Sequence, residues 1–136
     1  MELAKKPLAF RPFFLLTALL AISLVFFWVR FYSTGEPIQK AMPMLFWHGH
    51  EMIFGFCLAV IAGFLLTAVG NWTGVKAPSG WQLAPLIILF ILGRLTMIFS
   101  SSLELICYIE LAFIPLLAFY LARMLFKKKN YRNYYT

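Results

Sequence analysis

Long apolar runs broken by short polar clusters make up most of the chain. Four of them, Phe13 to Tyr32, Met52 to Val69, Trp81 to Phe99 and Leu103 to Phe126, reach the ~20 residues that a helix needs to cross the hydrocarbon of a bilayer. None shows the ten-residue alternation of transmembrane barrel strands, so the pattern predicts helices. The expected fold is all-α: a polytopic membrane protein, with residues 1–136 forming a single domain of four transmembrane helices at about 13–32, 52–69, 81–99 and 103–126. The first run follows Lys5, Lys6 and Arg11 as a signal peptide would. It is too long for one and lacks a small-x-small cleavage pattern, so it reads as a retained anchor. Ser100-Ser101-Ser102 leaves room only for a tight turn, which makes the third and fourth runs an antiparallel hairpin.

Composition strengthens the pattern. Of 136 residues, 62% are hydrophobic and only 12% charged, with a mean hydropathy of +0.84. No water-soluble domain of this size has a core large enough to hide that much apolar surface. The net charge is +7, and the basic residues are sorted by side. With the N-terminus cytoplasmic, Lys5, Lys6, Arg11, Lys76, Arg123, Lys127, Lys128, Lys129 and Arg132 flank the spans on the cytoplasmic side, against Arg30 and Lys40 outside. This asymmetry follows the positive-inside rule and predicts that both the N- and C-termini are cytoplasmic. The cations read as topology signals and as contacts to anionic lipids of the bilayer. A nucleic-acid partner is excluded, because no segment outside the spans is long enough to form a module that reads one.

Ionisable residues inside apolar runs are costly and mark a function or a pair. In this topology they collect in the outer half of the membrane. Arg30 ends the first span, and His48, His50 and Glu51 open the second. Arg94 lies ~7 Å below the outer end of the third, at 1.5 Å per residue, while Glu104 begins the fourth and Glu110 sits ~9 Å deeper. The convergence predicts a polar pocket in the outer half of the bundle. A plainer arrangement stays open beside it: Arg30 snorkels to the headgroups, Arg94 pairs with Glu104 across the serine turn, and the histidines face water.

His48 and His50 are the only histidines. On a regular helix positions i and i+2 diverge by about 200°, so one ion takes both rings only if Gly49 lets the backbone extend. Otherwise His48 shares a face with Glu51, Met52 and Gly55, His50 shares one with Phe54 and Cys57, and the rings serve different sites. One is then an axial or copper ligand and the other supports it or binds a second centre. A haem held by histidines of two different helices needs another chain or a missing half of this one. Gly55, Ala59 and Gly63 recur every four residues, a face along which a neighbouring helix or a flat macrocycle approaches the backbone closely, helix packing being the commoner use. Cys57 and Cys107 sit among apolar residues and read as small buried hydrophobes, and no CxxCH haem-attachment run exists.

Taken in order, Phe10-Arg11-Pro12-Phe13-Phe14, then Trp47-His48-Gly49-His50-Glu51-Met52 with Phe54-Gly55-Phe56, then Ile61 to Val69 leading to Asn71-Trp72-Thr73-Gly74, and finally Gly93-Arg94 resemble the NnrS family of bacterial membrane proteins. The resemblance implies a multi-pass protein of the bacterial inner membrane that carries haem b and copper, takes part in nitric oxide response or detoxification, and is associated with denitrification. His48 and His50 fall on the family's histidine motif as the expected metal ligands. Arg94, Arg30 and Arg11 are the expected cofactor-binding cations, since guanidinium matches a haem propionate bidentately. Glu51, Met52, Glu104 and Asn71 complete the candidate set in supporting roles. Members of the family are usually much longer, so the chain is similar to their N-terminal third. It is expected to be a fragment, or a short relative that completes its bundle as a homo-oligomer or with a missing membrane segment. Three readings stand side by side: a metal-cofactor protein whose small-molecule ligand is nitric oxide, a transport or assembly protein for copper, haem or a small solute, and an inactive truncated bundle. None assigns an enzymatic reaction.

Overall fold

The computed structural model describes residues 10–39 and 41–132. Lys5, Lys6, Lys40 and the tail from Asn133 onward lie outside the described residues, as do the side chains of Lys128, Lys129 and Arg132. Helix α1 (Phe10–Thr34) is followed by α2 (Met44–His50), which runs unbroken through a π-helical segment (Glu51–Cys57) into α3 (Leu58–Thr73). A 3₁₀ turn (Gly80–Leu83) leads into α4 (Ala84–Phe99), and α5 (Leu103–Arg132) closes the order. There is no strand among the described residues. Four rods are long and apolar enough to cross a membrane: Arg11–Thr34, Met44–Thr73, Gly80–Phe99 and Leu103–Lys127. The protein is thus the all-α, four-span membrane bundle that the hydropathy pattern predicts.

Local chemistry sets the ends of these rods. Gly35, at a φ of +73° that side chains rarely tolerate, ends α1 by returning its N–H to the Phe31 carbonyl at 2.8 Å. The buried Gln39 then folds the connection back on itself, donating to the Met42 carbonyl and accepting from the Met42 N–H at 3.0 Å. Ser79 and Gln82 form a capping box at the start of the third span, and Pro85 stands in the first turn of α4.

The second rod starts at Met44, well before the Met52 at which the polar cluster is expected to end the span. Hydropathy reads His48, His50 and Glu51 as a boundary because it prices them against lipid. In the bundle, however, Trp47 and Glu51 are only 2% and 3% exposed, so the helix continues through residues whose partners are protein groups. The two cysteines also depart from expectation. Both are exposed on the surface of the single chain, because an apolar membrane-facing surface takes a small hydrophobe as readily as a core does.

Helix α1 packs on α3, α4 on α5, and α3 on α5. Two apolar cores result. One joins Phe13, Ala59, Ala62, Leu66, Leu86, Phe90, Phe113 and Leu117 toward the end that holds the N-terminus of α1 and the C-terminus of α5. The other joins Leu24, Met44, Trp47, Met97 and Ile106 toward the opposite end. Along three rods the residues between these cores are Glu51, Arg94 and Glu110, so a charged layer lies sandwiched between two apolar ones.

Candidate functional site

Arg94 is the hub of that layer. Its Nη1 donates to Glu51 Oε1 at 2.7 Å and its Nη2 to Glu110 Oε1, so one planar fork joins α4 to both the π-helical segment and α5. The guanidinium also lies over the Phe90 ring, 5.5 Å from its centroid. His50 completes the group: its Nε2 stands 2.8 Å from Glu110 Oε2 and its Nδ1 stands 3.8 Å from Glu51 Oε1. The ring is stacked on Phe54 at 4.7 Å. The carboxylates of Glu51 and Glu110 are 3% and 6% exposed and Arg94 is 13% exposed, far more enclosed than surface ion pairs.

Two backbone features make the layer possible. In the π-helical segment the Leu58 N–H reaches the Ile53 carbonyl, five residues back, and such single-turn insertions recur at functional sites. Within it both Glu51 and Gly55 face inward. A Cβ at Gly55 would lie 2.8 Å from Leu20 Cδ2, 2.9 Å from Arg94 Nη1 and 3.0 Å from Glu51 Oε2. Glycine is therefore needed where α1 and the ion pair meet the same stretch of backbone. The stripe of Gly55, Ala59 and Gly63 is buried along its length, which fits its reading as a close-packing helix face.

The candidate residues do not all meet here. Gly49 stays helical within α2, so the two imidazoles part company: His50 joins the carboxylates, while His48 stacks on Trp28 of α1 with ring centroids 4.2 Å apart. Arg30 is exposed and donates to the Glu36 carbonyl at 3.1 Å. Arg11 lies at the other end of α1, and Asn71 at the far end of α3, both exposed. Met52 is 38% exposed and points away. Glu104 is exposed on the first turn of α5, and the pairing of Arg94 with Glu104 is replaced by the pairing with Glu110. The hairpin explains the choice. Counted from the turn at residues 100–102, Arg94 and Glu110 stand six and eight residues away, whereas Glu104 stands only two away; antiparallel register brings groups of like depth together. Equal depth is the signal in the sequence that Glu110, which carries no assigned role there, belongs to the site.

The layer offers one donor atom each from His50, Glu51 and Glu110 within 4.8 Å of one another, a spacing at which three groups can share one cation. Nδ1 of both His48 and His50 is buried with no hydrogen-bond partner among the described residues. Against the cluster, Arg94 and Glu110 with Phe54, Leu58, Phe90 and Phe113 line a cavity of about 10 Å³, close to what a single water occupies. No curated protein and no solved structure matches the chain. The family model described as NnrS protein matches residues 7–136, nearly the whole sequence, and the chain belongs to the NnrS family.

Proposed function

We infer that this NnrS-family protein holds a single transition-metal cation in its charged layer and serves the response to nitric oxide. One observation carries the reading. A lone guanidinium faces two buried carboxylates, leaving a formal surplus of one negative charge in a region where unpaired charge is costly. His50 is the remaining group in reach of both carboxylates, so the surplus is met by a proton on its ring or by a cation shared with it. An imidazole nitrogen with carboxylate oxygens suits copper, the metal implied by the family resemblance; the monovalent ion balances the formal charge of the layer and the divalent ion leaves it one positive. The 3.8 Å between His50 Nδ1 and Glu51 Oε1 is too long for a hydrogen bond and within reach of two ligands on one cation, whose bonds run ~2.0–2.2 Å.

Haem b fits less well. The cavity beside the cluster holds about 10 Å³, and the two histidines of one helix turn to different neighbours, so they do not form a ligand pair for one haem iron.

Copper held by His50, Glu51 and Glu110 would supply a one-electron redox centre. The chain's own residues do the rest. Arg94 fixes the orientation of both carboxylates through its fork, Phe54 holds the His50 ring by stacking, and the two apolar cores close the layer above and below. A cavity of this size, lined by Arg94 and Glu110 as well as by apolar side chains, favours a diatomic over transport of haem or a larger solute, and nitric oxide reaches it through lipid without a polar channel. The nine-to-two distribution of cations described above supports a place in the bacterial inner membrane, with both termini cytoplasmic and the charged layer in the outer half.

Metal analysis of the purified chain, with its optical and paramagnetic-resonance spectra before and after nitric oxide, tests the reading. About one copper per chain is expected, perturbed by nitric oxide, lost in His50→Ala and Glu110→Gln and retained in His48→Ala. A chain that keeps its helical spectrum but takes up no metal, or whose metal content ignores His50→Ala, overturns it.

A further inference from the structure

At the end of the bundle remote from the charged layer, Lys76, Arg123 and Lys127 surround a cleft of about 240 Å³ with Gln82, Tyr120 and Met124, many times the ~10–15 Å³ that one water needs. The cleft is built rather than incidental. Tyr120 donates to the Gln82 carbonyl at 2.6 Å, tying α5 to the start of the third span. Its lining residue Met124 lies within 3.4 Å of where a Cβ would stand on Gly70, so the loop after α3, the third span and α5 are locked around it.

The charge around the cleft is unmatched. Among the described residues, none of the three cations has an ion-pair partner. The chain has five acidic residues. Glu36 and Glu104 lie at the opposite end of the bundle, Glu51 and Glu110 are committed to Arg94, and Glu2 lies outside the described residues. The depth is that of a membrane interface: the second and fourth spans end at Thr73 and Lys127 and the third begins at Gly80. Trp72 and Trp81, 66% and 92% exposed, flank the loop, where indole rings settle at the headgroup level. Arg123 stands four residues inside the end of its span, ~6 Å along the helix, so its guanidinium reaches back to the interface from below.

We propose that this cleft is a binding site for the phosphodiester headgroup of an anionic phospholipid. Arg123 presents the planar fork that suits phosphate oxygens, Lys76 and Lys127 supply point charges from two sides, and the acyl chains continue along the apolar faces of the spans. A zwitterionic lipid carries its own ammonium into the same cluster of cations and is disfavoured.

Native mass spectrometry of the full chain released from detergent, titrated with phosphatidylglycerol or phosphatidylcholine, tests this directly. Phosphatidylglycerol is expected to bind at least tenfold more tightly. Arg123→Gln lowers that preference several-fold, whereas Arg30→Gln, which removes the same charge at the other end, leaves it intact. Lys76→Gln, in a loop outside the helices, gives the same loss and serves if Arg123→Gln does not fold. Equal binding of the two lipids, or an unchanged preference in Arg123→Gln and Lys76→Gln, overturns the proposal. So does saturable binding of inorganic phosphate to the lipid-free chain without any preference for phosphatidylglycerol, which would assign the cleft to a free anion.

Discussion

Arg94 and Arg123 are the same residue on neighbouring helices, and the molecule treats them in opposite ways. Arg94 stands between two carboxylates in a layer closed above and below by apolar cores, whereas Arg123 stands on an exposed helix face with no carboxylate partner among the described residues. The difference follows the solvent. In the hydrocarbon a charge is tolerated only when protein groups replace its hydration. At the interface water and lipid headgroups do this, and an unmatched cation becomes a handle for an anion. The chain therefore carries two kinds of cationic site, one neutralised from within and one left open to the membrane.

The hardest blow to this contrast is Arg94→Leu. It leaves two buried carboxylates with only the charge at His50 between them, and breaking such a pair typically costs about 3–5 kcal/mol. A loss of that size in the unfolding free energy of detergent-solubilised protein is expected, against no measurable change for Arg123→Leu. Replacing the whole group, with Arg94→Leu, Glu51→Leu and Glu110→Leu together, should recover most of the loss, because an apolar layer needs no pairing. If the triple variant stays as unstable as Arg94→Leu, packing rather than unpaired charge sets the cost.

Next in size is Gly55→Ala. Its added methyl meets Leu20, Arg94 and Glu51 at 2.8 to 3.0 Å. Leu20 yields at the flexible end of its side chain, but the Arg94 nitrogen is held in its ion pair, so the fork opens or α1 moves. Overpacking of this kind costs about 1–3 kcal/mol. The same change at Gly49, where nothing lies within 4 Å of the new methyl, should leave the unfolding midpoint where it was or raise it.

These two glycines also show what the sequence makes legible. The four spans, their order and the gathering of charge in one half follow from hydropathy and topology, because a bilayer leaves a helical chain few choices. The pairing inside the layer does not follow as readily. Glu51 looks like the edge of a span because its neighbours are polar, and only the fold reveals that Arg94 meets it from another helix. A hydropathy window prices each residue against lipid and has no means of counting a partner 43 positions away. The π-helical segment is similarly hidden: nothing in Glu51-Met52-Ile53-Phe54-Gly55-Phe56-Cys57 departs from an ordinary apolar helix, and the extra residue becomes intelligible only from the groups it turns inward. That the two histidines separate on a continuous helix, with His50 on the face of Phe54, is legible from helix geometry, but their partners Trp28 and Glu110 are not, since these come from opposite ends of the chain.

A smaller effect separates those histidines. His48→Ala removes the stack on Trp28 and should cost about 0.5–1.5 kcal/mol, the worth of an aromatic pair beyond its area, with the ion-pair layer untouched. His50→Ala strikes Glu110 instead and should loosen the link between the π-helical segment and α5. Hydrogen exchange of the two variants distinguishes the effects: protection falls near Trp28 in the first and near Glu110 in the second. Equal patterns would mean that the rings act through one shared element.

The smallest expected effect is the most discriminating. Glu104 and Glu110 share one helix and one charge, and differ only in depth from the turn. Glu104→Gln alters an exposed group beside Ser102 and should shift neither the melting curve nor the metal content. Glu110→Gln removes a carboxylate that serves both Arg94 and His50, so the layer loses its surplus negative charge along with one arm of the fork. If Glu104→Gln proves as damaging as Glu110→Gln, Arg94 is reaching toward the turn, the hairpin register is different, and the layer does not exist in the form described. If it is silent, the antiparallel register of α4 and α5 selects the partner, and the half-buried arginine is matched by depth rather than by the nearest acid in sequence.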